Sequence, residues 1–255
     1  MGGNTMRFVP SGAKLFYWPK PSTNKKVNNM PIFNGTLFQI DQKEMMRYAG
    51  LPPKSKEFPD SEIRAAINEA AALSLPRGIW QLLPYDPEKG IIESEESMTL
   101  MGNAIKKHLS KSYSVAVLSV TAGEDIEKAS DDHFKKGEYV RGLLLDAAAT
   151  AITEHLADQL DDYIKKDALR TGQKTTWRFS PGYGDWPVTQ QPALCRLIHA
   201  EEIGVHVTDH SMLTPRKSVT AIIGLSACTQ APAPKKCSSC RLITCPFRTK
   251  AEDHH

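Results

Sequence analysis

The stretch EYVRGLLLDAAATAITEHLADQLDDYIKKDAL, residues 138–169, decides the fold class. Val140, Leu144, Ala148, Ile152, Leu156, Leu160 and Ile164 recur every four residues in it, which predicts one long helix with a single apolar stripe. Ala147, Ala149 and Ala151 keep much of the remaining helix surface small, so a neighbouring backbone or a ligand can come close there. On one side of this helix the run Ser114–Val120, closed by Thr121-Ala122-Gly123, reads as a buried strand, and an acidic helical stretch follows it. On the other side Val205–Thr208 and Ser218–Leu225 read as strands flanking a loop with Met212 and Pro215. Further helices are predicted from Asp41, with Glu44 in capping-box spacing, through Tyr48, and from near Asp60 to before Pro76. The latter carries Ile63, Ile67, Ala70 and Ala71 on one face. Met98–Leu109 and Pro192–Glu202 complete the set, the last with proline in its first turn and Gly204 just beyond its end. Central helices with strands that do not alternate with them predict an α+β fold rather than a doubly wound sheet.

The chain of 255 residues, 40% hydrophobic, is long enough to bury a substantial core. No apolar run has the length of a membrane span and the start lacks a secretory signal, so a cytoplasmic, membrane-free protein is expected. The net charge of +3 is unevenly spread. Arg7, Lys14, Lys20, Lys25 and Lys26 meet no acid in residues 1–40, and residues 229–251 are likewise basic, which makes the middle acidic. Basic ends of this kind keep a protein soluble or dock on an acidic partner, and no interleaved aromatic pattern points to nucleic acid. Residues 1–36, rich in Pro, Asn and Lys, read as an irregular basic extension. Residues 37–227 form the core domain and 228–255 a cysteine-rich tail.

Between the long helix and the next lies Trp177-Arg178-Phe179-Ser180-Pro181-Gly182-Tyr183-Gly184-Asp185-Trp186-Pro187. Pro181-Gly182 occupies the middle of a four-residue turn, where proline fixes the first φ and glycine supplies the positive φ of a type II turn. Gly182 also lets a ligand approach the main chain, and Arg178 can present a guanidinium fork to a carboxylate beside it, against the reading of the segment as a plain structural corner.

This segment, with the following helix, IGVHVT and SMLTPRKSVTAIIGL, resembles the activation domain of cobalamin-dependent methionine synthase, most of all its stand-alone relatives. The likeness extends more loosely over residues 37–226, and it implies a twisted antiparallel sheet packed with helices. The family's Arg-x-x-x-Gly-Tyr signature falls on Arg178, Gly182 and Tyr183. The resemblance implies that Arg178 holds the carboxylate of S-adenosylmethionine. Ser180, Pro181, Gly182 and Tyr183 then shape the pocket and its corrinoid-facing side. It implies two partners, a corrinoid-binding methionine synthase subunit carrying cobalamin and an electron donor. The chain departs from the large multidomain enzymes at Ile222-Ile223, where they carry an aromatic.

S-adenosylmethionine also needs an acid for its ammonium. Glu154 lies in line with Ala147, Ala151 and Asp158 on the long helix and is one candidate, against a plain solvated glutamate; Asp158 is expected to face solvent. Asp185 is the second candidate, against a capping role. Catalysis in such a system is mostly positioning, which agrees with finding no paired-carboxylate, Ser/His/Asp, P-loop or GxGxxG arrangement. Cys195 reads as a small buried residue, and His199, His206 and His210 lack the spacing of a metal site. Cys228, Cys237, Cys240 and Cys245 have spacing suited to an iron–sulfur cluster or zinc, or are free thiols of a reducing compartment. A cluster would make the tail an electron relay. The alternative functions are a metal- or iron–sulfur-binding interaction and electron-transfer module, or an activator of another corrinoid methyltransferase.

Overall fold

The structure, a computed structural model, describes residues 32–35, 40–52 and 57–227. Its first strand, β1 (Ile32–Asn34), falls within the stretch read from sequence as an irregular extension, and it pairs with the main sheet. Asp41 accepts a hydrogen bond from Lys43 N at 2.8 Å and opens α1 (Gln42–Tyr48). Next come α2 (Asp60–Leu73), β2 (Arg77–Asp86), β3 (Ile91–Ile92) and β4 (Met98–Thr99). They are followed by α3 (Asn103–His108), β5 (Ser114–Thr121), α4 (Asp125–Lys135), the long α5 (Tyr139–Arg170) and β6 (Lys174–Thr175). The remainder is α6 (Gln191–Leu197), β7 (His206–Val207), β8 (Leu213–Thr214) and β9 (Ser218–Ser226), with 3-10 turns at Val188–Gln190 and Ala200–Ile203.

The main sheet is antiparallel throughout, in the order β4-β3-β2-β5-β9-β6, with β1 beside β3 on the outer side of β2. β5 sits at its centre and every one of its residues is buried. Side chains alternate across the sheet, so Val115 and Val117 face one way, and Ala116, Leu118 and Val120 the other. The first face packs with Ile222 against residues of α3, α6 and the Ala200–Ile203 turn. The second packs against Leu156, Leu160, Ile164 and Ala168 of α5. Antiparallel sheet with helices on both faces is the α+β class predicted.

At 32 residues α5 is about 48 Å long, more than the sheet can cover. Its N-terminal half therefore leaves the sheet and joins α1, α2 and α4 in a helical cluster around Leu144, Ala148 and Ile152. One expectation about α5 needs correction. Val140, placed on the apolar stripe, is 40% exposed, because the stripe finds cover only from Leu144 onward. Ala147, Ala149 and Ala151 admit a close neighbour as expected, and of the two kinds considered it is a protein one, the packed helical cluster.

The predicted helix Met98–Leu109 is another correction: Met98–Thr99 pairs with β3, and only Asn103–His108 is helical. Gly102 between them has φ +99, and a Cβ there would lie 2.7 Å from Asp185 O, so the break is built into the close approach of two loops. The helix expected at Pro192–Glu202 is split by His199 at φ 49 into α6 and a 3-10 turn. β2, the longest strand among the described residues, is not among the strands expected from the sequence. Among the described residues no helix is long and apolar enough to cross a membrane.

Candidate functional site

After α5 the chain turns back along the edge of β9. β6 pairs with Leu225 and Ser226, Thr176 N donates to Gly224 O at 2.9 Å, and Phe179 exchanges backbone hydrogen bonds with Ile222 at 2.8 and 2.9 Å. This register decides where Arg178 points. Phe179 enters the core on the α3 and α6 face, so its neighbour Arg178 is directed to the opposite face, toward α5. Ile222 and Ile223 are both fully buried, in separate cores, and the Ile222 main chain holds the loop.

Beyond Phe179 the loop has the predicted turn. Tyr183 N donates to Ser180 O at 3.0 Å, with Pro181 first and Gly182 second at φ +92, as type II requires. Among the described residues a Cβ on Gly182 would meet nothing within 4 Å, so this main chain is open on that side. The loop is closed again by Gly182 N to Trp186 O at 2.8 Å and Trp186 N to Tyr183 O at 3.0 Å. Its far end is pinned by Trp186, 1% exposed, whose Nε1 donates to Gln190 Oε1 at 2.7 Å. Asp185, a candidate for the ligand ammonium, receives the amides of Asn103 and Ala104, each at 2.8 Å. It caps the start of α3, where a carboxylate satisfies otherwise orphaned N–H groups.

Arg178 is only 5% exposed, and carboxylates of α5 surround it. Asp158 Oδ1 lies 2.5 Å from Nη2, Glu154 Oε2 3.7 Å from Nη2, and Asp161 Oδ2 4.0 Å from Nε. Positions 154, 158 and 161 are spaced to share one helix face, which brings the three acids to one guanidinium. Asp161 is also paired with Lys165 at 2.9 Å. Exposure grades outward across the group, from 9% for the Asp161 side chain to 38% for Glu154 and 60% for Asp158. Two buried polar atoms in this niche, Arg178 Nε and Asp161 Oδ1, have no hydrogen-bond partner among the described residues. Such orphans are uncommon in folded proteins and mark a place where a ligand group can bond. Tyr48 of α1 borders Glu154, and burial followed by the Glu154 charge pushes its phenol up to about 12.

An aromatic group lies behind the loop. Phe179 has the rings of His108, Trp177, Tyr183 and Trp186 within 5.1 to 6.1 Å, and Tyr183 remains 49% exposed. His108 is paired at 2.8 Å with Trp177 O, and burial lowers its pKa below the ordinary imidazole value. It is therefore neutral at neutral pH and donates from Nε2 to that carbonyl.

Of the residues singled out in the sequence, the structure brings Arg178 together with Glu154, and places Ser180, Pro181, Gly182 and Tyr183 on the adjoining turn. Asp161 was missed, and Asp158, though exposed, is the nearest partner of Arg178 rather than a bystander. The i, i+4, i+7 spacing of the three acids was the available signal. Cys195 is buried and its thiol is pushed up to about 11 by burial. A hollow lined by Pro192, Cys195, Glu201 and His206 lies on α6 and β7, away from the Arg178 loop. Cys228, Cys237, Cys240 and Cys245 lie outside the described residues.

No curated protein sequence matches the chain significantly. Among solved structures, the crystal structure of the MetH reactivation domain bound to AdoHcy is similar in fold, with a TM-score of 0.59. It is 14% identical, and the match covers 80% of each chain. The family model for the vitamin B12 dependent methionine synthase activation domain matches residues 88–230, which include β5, α5, the Arg178 loop and β9. That is more than half of the chain, and the chain belongs to the family of vitamin B12-dependent methionine synthase activation domains.

Proposed function

We propose that this chain binds S-adenosylmethionine at the Arg178 loop and supports reductive methylation of a corrinoid carried by a partner methionine synthase subunit. The observation that carries the reading is the Arg178 niche, where a buried guanidinium and a buried carboxylate each keep an unpartnered atom. Three acids set against Arg178 and Lys165 leave the niche net negative. S-adenosylmethionine carries an ammonium and a sulfonium against one carboxylate, so it is net positive and complementary. Arg178 takes the carboxylate, and Glu154 with Asp161 takes the ammonium. The open main chain at Gly182 and the half-exposed Tyr183 border the space left for the remainder. The structural neighbour's bound AdoHcy, the same molecule without its methyl group, supports this ligand class.

Bound S-adenosylmethionine supplies a methyl group on a positively charged sulfur. The residues of this chain bind and orient it: Arg178 and the acids fix the amino-acid end, and the doubly closed turn holds Tyr183 at the surface facing the partner. Positioning of this kind needs no general base. The electron comes from a separate donor, and the tail thiolates Cys228, Cys237, Cys240 and Cys245 are the proposed place for an iron–sulfur cluster or zinc, on their spacing alone. Anaerobic metal analysis and a visible spectrum check the tail; stoichiometric zinc without broad absorption removes the electron role.

Calorimetry with S-adenosylmethionine tests the site. The intact chain is expected to bind, and Arg178→Lys, which keeps the charge but loses the fork, to bind at least about tenfold more weakly. No binding by the intact chain, or unchanged affinity in Arg178→Lys, overturns the assignment.

A further inference from the structure

We propose that Asp158 is an internal stand-in for the ligand's carboxylate, and that its exchange makes the site selective for carboxylate-bearing adenosyl sulfonium compounds. The inference rests on the function proposed above and names what Arg178 does when no ligand is bound. Nη2 of Arg178 lies 2.5 Å from Asp158 Oδ1, closer than to either other acid. Arg178 itself is 5% exposed, whereas the Asp158 side chain is 60% exposed. The carboxylate nearest the guanidinium is therefore also the one most in contact with water. A buried guanidinium stripped of its counter-ion is strongly disfavoured, so some carboxylate has to sit there in the empty site. A mostly exposed partner is held weakly and is cheap to displace.

The other two acids are not suited to exchange. Asp161 is 9% exposed and bound to Lys165 at 2.9 Å, and Glu154 lies 3.7 Å from Nη2. On ligand entry Asp158 rotates off Nη2, the ligand carboxylate takes its place, and Nε gains the partner it lacks through the guanidinium fork. Asp161 Oδ1, also unpartnered, accepts from the ligand ammonium. A ligand with ammonium and sulfonium but no carboxylate cannot displace Asp158 and leaves Nε orphaned.

The prediction runs against bulk electrostatics. A net positive ligand should bind more weakly whenever an acid is removed from the niche. If Asp158 competes for Arg178, then Asp158→Asn should instead bind S-adenosylmethionine about threefold more tightly, because a neutral amide competes poorly. Decarboxylated S-adenosylmethionine should gain nothing from that substitution. Asp158→Glu, which keeps the charge, should stay within about twofold of the unsubstituted chain. Asp162→Asn, which removes a charge four residues further along α5 at an exposed position paired with Lys165 rather than Arg178, should bind no more tightly. Calorimetry on these variants with both ligands decides, and thermal unfolding without ligand confirms that each is folded. Equal or weaker binding by Asp158→Asn, or equal tightening toward the decarboxylated compound, overturns the exchange while leaving the site intact. Should Asp158→Asn not fold, tighter binding by Asp158→Glu than by the unsubstituted chain overturns it instead. Absence of binding by the unsubstituted chain instead overturns the proposed function on which the exchange rests.

Discussion

Gly182 shows how far a single residue constrains the site. Its φ of +92 is a conformation that costs an L-residue about 1–2 kcal/mol, while no described residue comes within 4 Å of where its Cβ would be. Gly182→Ala should therefore destabilise the chain by about 1 kcal/mol without any steric clash, read as a lower urea midpoint at unchanged m value. An effect near zero would mean that the turn is not held in its type II form. This turn was legible in the sequence because its cause is local: proline and glycine carry their φ preferences with them. The acids around Arg178 were legible only in part. Glu154 could be placed on the same helix line as Asp158, but which acid meets the arginine depends on the register of Phe179 against Ile222, a pairing of residues distant in sequence. Asp185 shows the same limit, since its amide partners at Asn103 and Ala104 come from an element far earlier in the chain.

Among the elements, α5 was the most legible because its four-residue recurrence reports a buried face directly. The sequence does not say where cover begins, which is why Val140 was placed inside and is found exposed. β2 is less legible because Gln81 and Pro84 interrupt its apolar pattern, and its longest pairing is with β5, which lies beyond a helix in the chain. The join between α4 and α5 adds a titratable clamp. His133 lies 3.0 Å from Glu69 of α2 and 2.5 Å from Glu138 at the start of α5, with Arg141 also on Glu69 at 2.8 Å. Its pKa is raised, first by the hydrogen bond to Glu69 and then by that to Glu138. Both ring nitrogens can bond carboxylates only when both carry protons. A folded-state pKa above the unfolded value, about 6.5, means that the clamp stabilises fully below that pH. Its contribution is lost as pH rises through the higher folded-state value. The lowered pKa of Glu138, due chiefly to His133, sets the opposite flank, lost as pH falls into the carboxylate range. Urea unfolding at pH 6 and pH 9 should show stability falling over this interval, and His133→Gln should reduce the fall. An identical fall in both proteins would place its cause elsewhere.

At the scale of the whole molecule, α5 belongs to both halves: Leu144, Ala148 and Ile152 lie in the helical cluster, and Leu156, Leu160 and Ile164 in the core against the sheet. A helix shared in this way ties the two halves into one cooperative unit, because neither core can come apart without exposing part of the same element. Ile152, 1% exposed, is the last stripe residue on the helical side. Ile152→Ala should cost about 2–4 kcal/mol through lost burial and the cavity left behind. Far-ultraviolet circular dichroism reports the helices, and tryptophan fluorescence reports the sheet side, where Trp80, Trp177 and Trp186 lie; the two should lose their signals at one shared, lower midpoint. The site spans the same junction, since its acids stand on α5 and its arginine on the edge of the sheet. A bound ligand at 100 times its dissociation constant should add about 2.7 kcal/mol and raise both signals together in the variant. Two separated transitions, with ligand shifting only one, would show that α5 does not couple the halves and that the niche is built on the sheet side alone.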